Sequence, residues 1–229
     1  MNTLVIEHAK GRAEGLDLVA QSNGFDCYVW KAYEEANFLL NPDDFDSLIV
    51  AGGPMGSYEM DKYPFFRMEK KLIEYYISED IPVLGICLGA QIIASLLGGK
   101  VEKTFLRKGF KYVSQQVKVV SPDPLLNNIE GSFVTFQFHR DEITIPPKEL
   151  EILLSSDDCS IEGYRVSGKN IWGVQFHPEI GLEKAKEILS LTASDNEDTN
   201  SLLELAKNPS IKENTKLLQN FFKEVKSVI

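Results

Sequence analysis

Residues 82–99, PVLGICLGAQIIASLLGG, change character in the middle. Val83–Ile86 reads as a short buried strand, and Leu88–Leu97 as a buried helix that Gly98-Gly99 closes with a left-handed cap. Between them stands Gly85-Ile86-Cys87-Leu88-Gly89. A chain that passes from strand to helix in so few residues must turn sharply. That turn leaves no room for Cβ atoms on either side, and it thrusts the central side chain into the open. Few architectures accept such a unit, and the natural one is a sheet with helices on its faces. Ile81–Gly99 carries no charge and is long enough to span a bilayer, but Pro82, Gln91 and four glycines interrupt it, so a strand followed by a helix is the better reading.

The neighbouring sequence repeats the alternation. Leu4–Glu7, Phe25–Trp30 and Ser47–Ala51 read as strands. Residues 12–23, stopped by Gly24, and residues 64–79 read as helices. From 101 to 177 the texture turns to strands, at Val113–Val120, Phe133–His139, Leu150–Ser155, Ser160–Val166 and Ile171–Phe176, with a helix expected at 181–193. The expected fold is α/β: three layers, a mainly parallel central sheet with flanking helices and an antiparallel extension. Residues 1–193 form the expected domain. Residues 194–201, SDNEDTNS, form an acidic linker, and 202–229 a helical tail in which Ile211, Leu218, Phe221, Phe222, Val225 and Ile229 recur at helical spacing. Docking of that tail on its own domain is favoured over a partner-binding role.

The 229 residues carry 24 basic and 34 acidic side chains, a net charge of −10, and no dense run of Lys or Arg. Nucleic acid and anionic membranes are therefore poor partners. Cys27, Cys87 and Cys159 are too few and too dispersed for a disulfide framework. Free thiols, and an N-terminus that Glu7, His8 and Lys10 make unlike a secretory leader, set the expectation of a cytoplasmic protein. No metal-ligand cluster is visible, and Gly52-Gly53-Pro54 lacks the Lys-Ser/Thr of a phosphate loop, so no cofactor is expected.

Chemistry centres on Cys87. The helix that follows points its N-terminus at the sulfur and favours the nucleophilic thiolate. Such a nucleophile requires a base, and His8, His139 and His177 are the available histidines. His177 stands in Phe176-His177-Pro178-Glu179, where an extended backbone would put Glu179 on the same face. A carboxylate there fixes the imidazole tautomer and stabilises its protonated form, which makes Cys87, His177 and Glu179 a candidate triad. An oxyanion hole follows by analogy with hydrolases: one N–H from Leu88, after the nucleophile, and one from Gly53 in the loop after a neighbouring strand.

The segments VAGGPMGSYE (50–59), PVLGICLGAQIIASLLGG (82–99), FQFHRDEITIPP (136–147) and GVQFHPEI (173–180) together resemble the class I glutamine amidotransferases of the triad type. The layout matches over roughly residues 1–192, and it is most similar to stand-alone members akin to the glutaminase part of GMP synthase. The resemblance implies a flavodoxin-like amidotransferase fold. It further implies that Cys87 attacks the carboxamide of glutamine, that Gly53 and Leu88 hold the oxyanion, and that His177, oriented by Glu179, serves the departing ammonia and then water. By the same resemblance Gln91, His139, Arg140 and Asp141 line the substrate pocket, and His8 after the first strand matches a common feature of that group, with no role assigned beyond packing the loop. Such domains work with a synthetase that accepts the ammonia. The residues after the linker are too few to supply one, so the ammonia would go to an unidentified acceptor or partner, a separate synthetase being one candidate, and the same lack somewhat favours a γ-glutamyl hydrolase that needs none.

Two other readings stay open on the sequence alone. A γ-glutamyl hydrolase or peptidase would use the same triad without an acceptor. A non-catalytic glutamine-sensing subunit would keep the fold alone, although intact Cys87, His177 and Glu179 argue against it. A redox-sensitive Cys87 on a plain α/β domain is the least favoured.

Overall fold

The computed structural model describes residues 1–103, 113–181, 183–184, 187 and 212–229. Eleven strands and four α-helices are defined among them. In chain order these are β1 (Asn2–Glu7), α1 (Leu16–Ser22), β2 (Asp26–Lys31), β3 (Ser47–Val50), α2 (Phe66–Ser78), β4 (Val83–Ile86), α3 (Leu88–Leu96), β5 (Lys100–Lys103), β6 (Val113–Val119), β7 (Ser132–Gln137), β8 (Asp141–Ile145), β9 (Leu150–Ser155), β10 (Gly163–Val166), β11 (Ile171–Val174) and α4 (Lys212–Val228).

Nine strands form one sheet in the order β2-β1-β3-β4-β11-β10-β9-β6-β7. The first five run parallel, and the last four continue the sheet antiparallel. The parallel strands are buried on both faces, which is why they read as unbroken apolar runs. Their alternate residues divide between two cores. Leu4, Ile6, Leu48, Val50 and Val83 pack with Leu72, Ile73 and Tyr76 of α2 and Ile92 and Ile93 of α3. Val5, Ile49, Leu84, Ile86, Trp172 and Val174 pack with Leu16 and Ala20 of α1 and with Leu217, Leu218, Phe221, Phe222 and Val225 of α4. The three-layer α/β fold expected from the sequence is the fold observed.

Helix α4 completes the second layer. Leu217, Leu218, Phe221, Phe222 and Val225 are fully buried, Phe222 lies 4.8 Å from the Phe25 ring, and Phe221 meets Trp172 edge-on. Asn220 donates to the carbonyls of Leu125 and Asn127.

Several boundaries differ from the sequence expectation. The first helix begins at Leu16 rather than residue 12, because residues 9–15 fold into turns: Gly15 has φ +92° and the Ala13 N–H donates to the Glu7 carboxylate. β7 ends at Gln137 and β11 at Val174, so His139 and His177 lie beyond their strands, on the loops that follow. β10 begins three residues later than expected, at Gly163, where a register shift marks the junction with β9. A small separate sheet, β5 paired antiparallel with β8, has no counterpart in the sequence reading. Most of the helix expected at 181–193, the acidic linker 194–201 and the start of the tail lie outside the described residues.

Candidate active site

Because β1, β3, β4 and β11 are parallel and in register, their carboxyl ends fall at one edge of the sheet. Ile6 pairs with Val50, Val50 with Gly85, and Ile86 with Val174. One or a few residues past those ends come His8, Gly52-Gly53, Cys87 and His177. The carboxyl edge of a parallel sheet is where open α/β folds bind ligands.

Cys87 has φ +52° and ψ −105°, a conformation that non-glycine residues avoid, and it directly precedes α3. The elbow holds because its neighbours lack side chains. A Cβ on Gly85 would sit 2.7 Å from the Ala90 nitrogen, and one on Gly89 only 2.0 Å from the Val50 carbonyl oxygen. The Cys87 N–H donates to the Val174 carbonyl at 2.8 Å, which ties the elbow to β11, the strand that delivers the histidine. The thiol itself lies 3.9 Å from the Phe138 carbonyl oxygen.

His177 is buried, and its Nδ1 lies 2.7 Å from Oε1 of Glu179. The pair meets through a tight turn, not along an extended strand: Pro178 and Glu179 form the turn, and the Ile180 N–H closes it on the His177 carbonyl. The contact inferred from Phe-His-Pro-Glu therefore exists, by a different backbone route. The other ring nitrogen, Nε2, is buried, and the Cys87 side chain is the second group beside the ring. Burial opposes charge on this imidazole, but the Glu179 carboxylate and the adjacent Cys87 overcome it and push its pKa up to about 10. The arrangement thus favours an imidazolium beside the Cys87 sulfur, a reactive pair for acyl transfer.

Gly52 and Gly53 press against both groups. A Cβ on Gly52 would stand 2.9 Å from Cε1 of His177, and one on Gly53 would stand 2.7 Å from Cδ2 of Leu88. Gly53 thus packs against Leu88, the residue after the elbow, and both line one pocket with Cys87. Gln91 is buried on α3, and its Nε2 donates to the Asp141 carbonyl and to Oε1 of Gln175. His139 is held by the Asp141 carbonyl at 3.1 Å and by Oε1 of Gln137 at 2.9 Å. Arg140 places Nε 3.5 Å from Oδ1 of Asp141. Burial raises the Asp141 carboxyl above its usual range, while Tyr58 and Arg140 pull it down.

All nine residues singled out from the sequence thus converge here, although Gln91 and His139 spend their polar atoms on neighbouring protein groups. The pocket lined by Gly53, Met55, Cys87, Leu88, Gln91, Phe138 and Asp141 is small, with about 10 Å³ of free volume. Roomier clefts, such as one of about 670 Å³ along residues 119–131, hold no cysteine or histidine. The chemistry, not the space, identifies the site.

Sequence reasoning leaves three contributors without a role: Tyr58, hydrogen-bonded to Asp141, and His8 with Glu69. His8 reads in the sequence only as a loop residue. Glu69 carries a signal, since it occupies the buried face of α2 with Phe66, Leu72, Ile73 and Tyr76, where a carboxylate is out of place without a partner.

Comparison with known proteins gives the family. The family model described as glutamine amidotransferase class-I matches residues 4–193. One subunit of the glutamine-hydrolyzing GMP synthase of Sulfolobus acidocaldarius is 34% identical over 154 residues, 65% of this chain and 77% of that protein. The subunit of the same name from Methanococcus aeolicus is 31% identical over 71% of this chain and 88% of its own length. A crystal structure of a glutamine amidotransferase from Thermotoga maritima superposes with a TM-score of 0.84 at 25% identity, covering 98% of this chain and 97% of its own.

Proposed function

The chain belongs to the class-I glutamine amidotransferase family, and from that premise we propose that it hydrolyses the side-chain amide of glutamine through a thioester on Cys87, releasing ammonia for a synthetase partner. One observation carries the reading: Cys87 stands strained on its elbow beside a buried His177 that Glu179 holds at 2.7 Å.

The steps follow from that geometry. The Cys87 sulfur adds to the amide carbon of glutamine, and the oxygen that gains the charge turns to the N–H groups of Gly53 and Leu88. His177, protonated in the resting pair, gives its proton to the amide nitrogen as the C–N bond breaks. Ammonia leaves and a glutamyl thioester remains on Cys87. The now neutral His177 takes a proton from water, the hydroxide adds to the thioester carbon, and collapse expels the thiolate and yields glutamate. Glu179 keeps the ring aimed and stabilises the imidazolium throughout.

Asp141 and Arg140 suit the remote end of the substrate. A carboxylate and a guanidinium side by side complement the α-ammonium and α-carboxylate of an amino acid, and partial burial strengthens both contacts. The synthetase partner is proposed from the relatives, which are subunits of a glutamine-hydrolyzing GMP synthase.

Acid quenching during turnover with L-glutamine, followed by peptide mass spectrometry, tests the mechanism. A glutamyl adduct on the peptide bearing Cys87 is expected. Turnover with the label on another residue would refute it.

A further inference from the structure

The catalytic steps above leave unused a buried ion pair directly beneath the oxyanion loop. His8, just after β1, and Glu69, on α2, have no solvent-exposed side-chain surface, and Nε2 of His8 lies 2.8 Å from Oε1 of Glu69. Its other ring nitrogen, Nδ1, lies 3.3 Å from the Gly52 carbonyl oxygen. The Gly52 carbonyl is an acceptor and requires hydrogen on Nδ1; burial opposes charge on the ring, but the Glu69 carboxyl group and the Gly52 carbonyl outweigh it and raise the His8 pKa, favouring the imidazolium. Phe65 and Phe66 pack their rings 6.0 Å from the imidazole, closing the site to water. The second oxygen of Glu69 is buried without a partner among the described residues. A buried pair so incompletely satisfied is a poor way to stabilise a fold, since apolar residues of similar volume do at least as well.

What the pair does control is one peptide plane. In a trans peptide the carbonyl of one residue and the N–H of the next point in opposite directions. Fixing the Gly52 carbonyl on His8 therefore fixes the direction of the Gly53 N–H, the proposed oxyanion donor. Two adjacent glycines would otherwise let that plane rotate freely. The Cβ of His8 also abuts Gly53, where an added Cβ would lie 2.9 Å from it. We infer that His8 and Glu69 are a positioning pair: Glu69 anchors the imidazolium, the imidazolium holds the Gly52 carbonyl, and the Gly53 N–H is thereby aimed at the oxyanion that forms over Cys87.

This inference rests on the amide-hydrolase reading, and its test separates the two. Kinetics on L-glutamine and on the activated amide γ-glutamyl-p-nitroanilide are measured for the wild type, His8→Phe and the double variant His8→Phe/Glu69→Leu, together with their thermal midpoints. His8→Phe is expected to lose about a hundredfold in kcat, the scale of one oxyanion donor, with KM little changed because His8 does not touch substrate. It should also melt earlier, since Glu69 is left buried alone. The double variant, with an apolar pair, should recover the thermal midpoint and not the kcat. Recovery of kcat along with stability would make the pair merely structural and overturn the inference. A wild type inert towards both substrates would remove the hydrolase reading, and the positioning role with it.

Discussion

Glu179 and His177 illustrate how far single residues set the chemistry. Since Glu179 and Cys87 hold the imidazole up to about 10, against a usual value of 6.5, the protonated form is what the fold stabilises. That stabilisation is complete below the usual value and is lost as pH rises towards 10. Accordingly, kcat/KM should hold through neutrality and fall with an alkaline limb near 10. Glu179→Gln is expected to move that limb down towards 6.5 and to lower kcat by roughly two to four orders of magnitude, still above Cys87→Ala. A pH profile that does not shift would deny Glu179 its role. Gly89→Ala makes a steric prediction. Its methyl would be driven into the Val50 carbonyl, so a loss of about 3 kcal/mol or more is expected by denaturant unfolding. The triad is legible in the sequence because each member sits in a short motif whose local geometry does the work. The His8–Glu69 pair is not, because 61 residues separate its members and only the packing of α2 on β1 and β3 unites them.

At the level of elements, the sequence exposes those whose pattern is set by burial on both faces or along one stripe. Strands β1, β3 and β4 and helix α3 emerge within a residue or so of their observed bounds, apart from the start of β1, two residues earlier than expected. The small sheet of β5 and β8 does not, because its strands are four and five residues long and carry Lys100, Glu102, Lys103 and Glu142 among few apolar residues. Yet that sheet matters: β8 begins at Asp141 and so fixes the loop that faces Cys87. The stripe on α4 is readable, while the surface it covers is not, since Phe25, Trp172 and the Leu125–Asn127 turn meet only in the folded chain. Phe222→Ala should cost about 3–5 kcal/mol in unfolding free energy. Removal of residues 212–229 should lower the thermal midpoint and expose the face that α4 covers, as dye binding would report. A truncated chain of unchanged stability would show that α4 adds nothing to the core.

For the whole molecule, the decisive feature is that parallel strands bring residues 8, 52–53, 87 and 177 to one edge. Sequence spacing alone cannot show this, because strand order is a property of the sheet. The pocket there has only about 10 Å³ of free volume, so seating glutamine requires the loops at 53–55 and 138–141 to yield. Hydrogen exchange on Cys87→Ala, with and without L-glutamine, should change in those loops and leave the far ends of the same strands unaffected. Uniform change, or none at saturating glutamine, would contradict a localised opening. Among the described residues no helix is long and apolar enough to cross a membrane.

The central claim is that this edge breaks the amide of glutamine with Cys87. Purified wild-type and Cys87→Ala chains, incubated with L-glutamine and assayed for ammonia and glutamate, test it most directly. Equimolar ammonia and glutamate from the wild type, and neither from a folded Cys87→Ala chain, is the predicted result. Release that survives loss of the thiol would contradict the account.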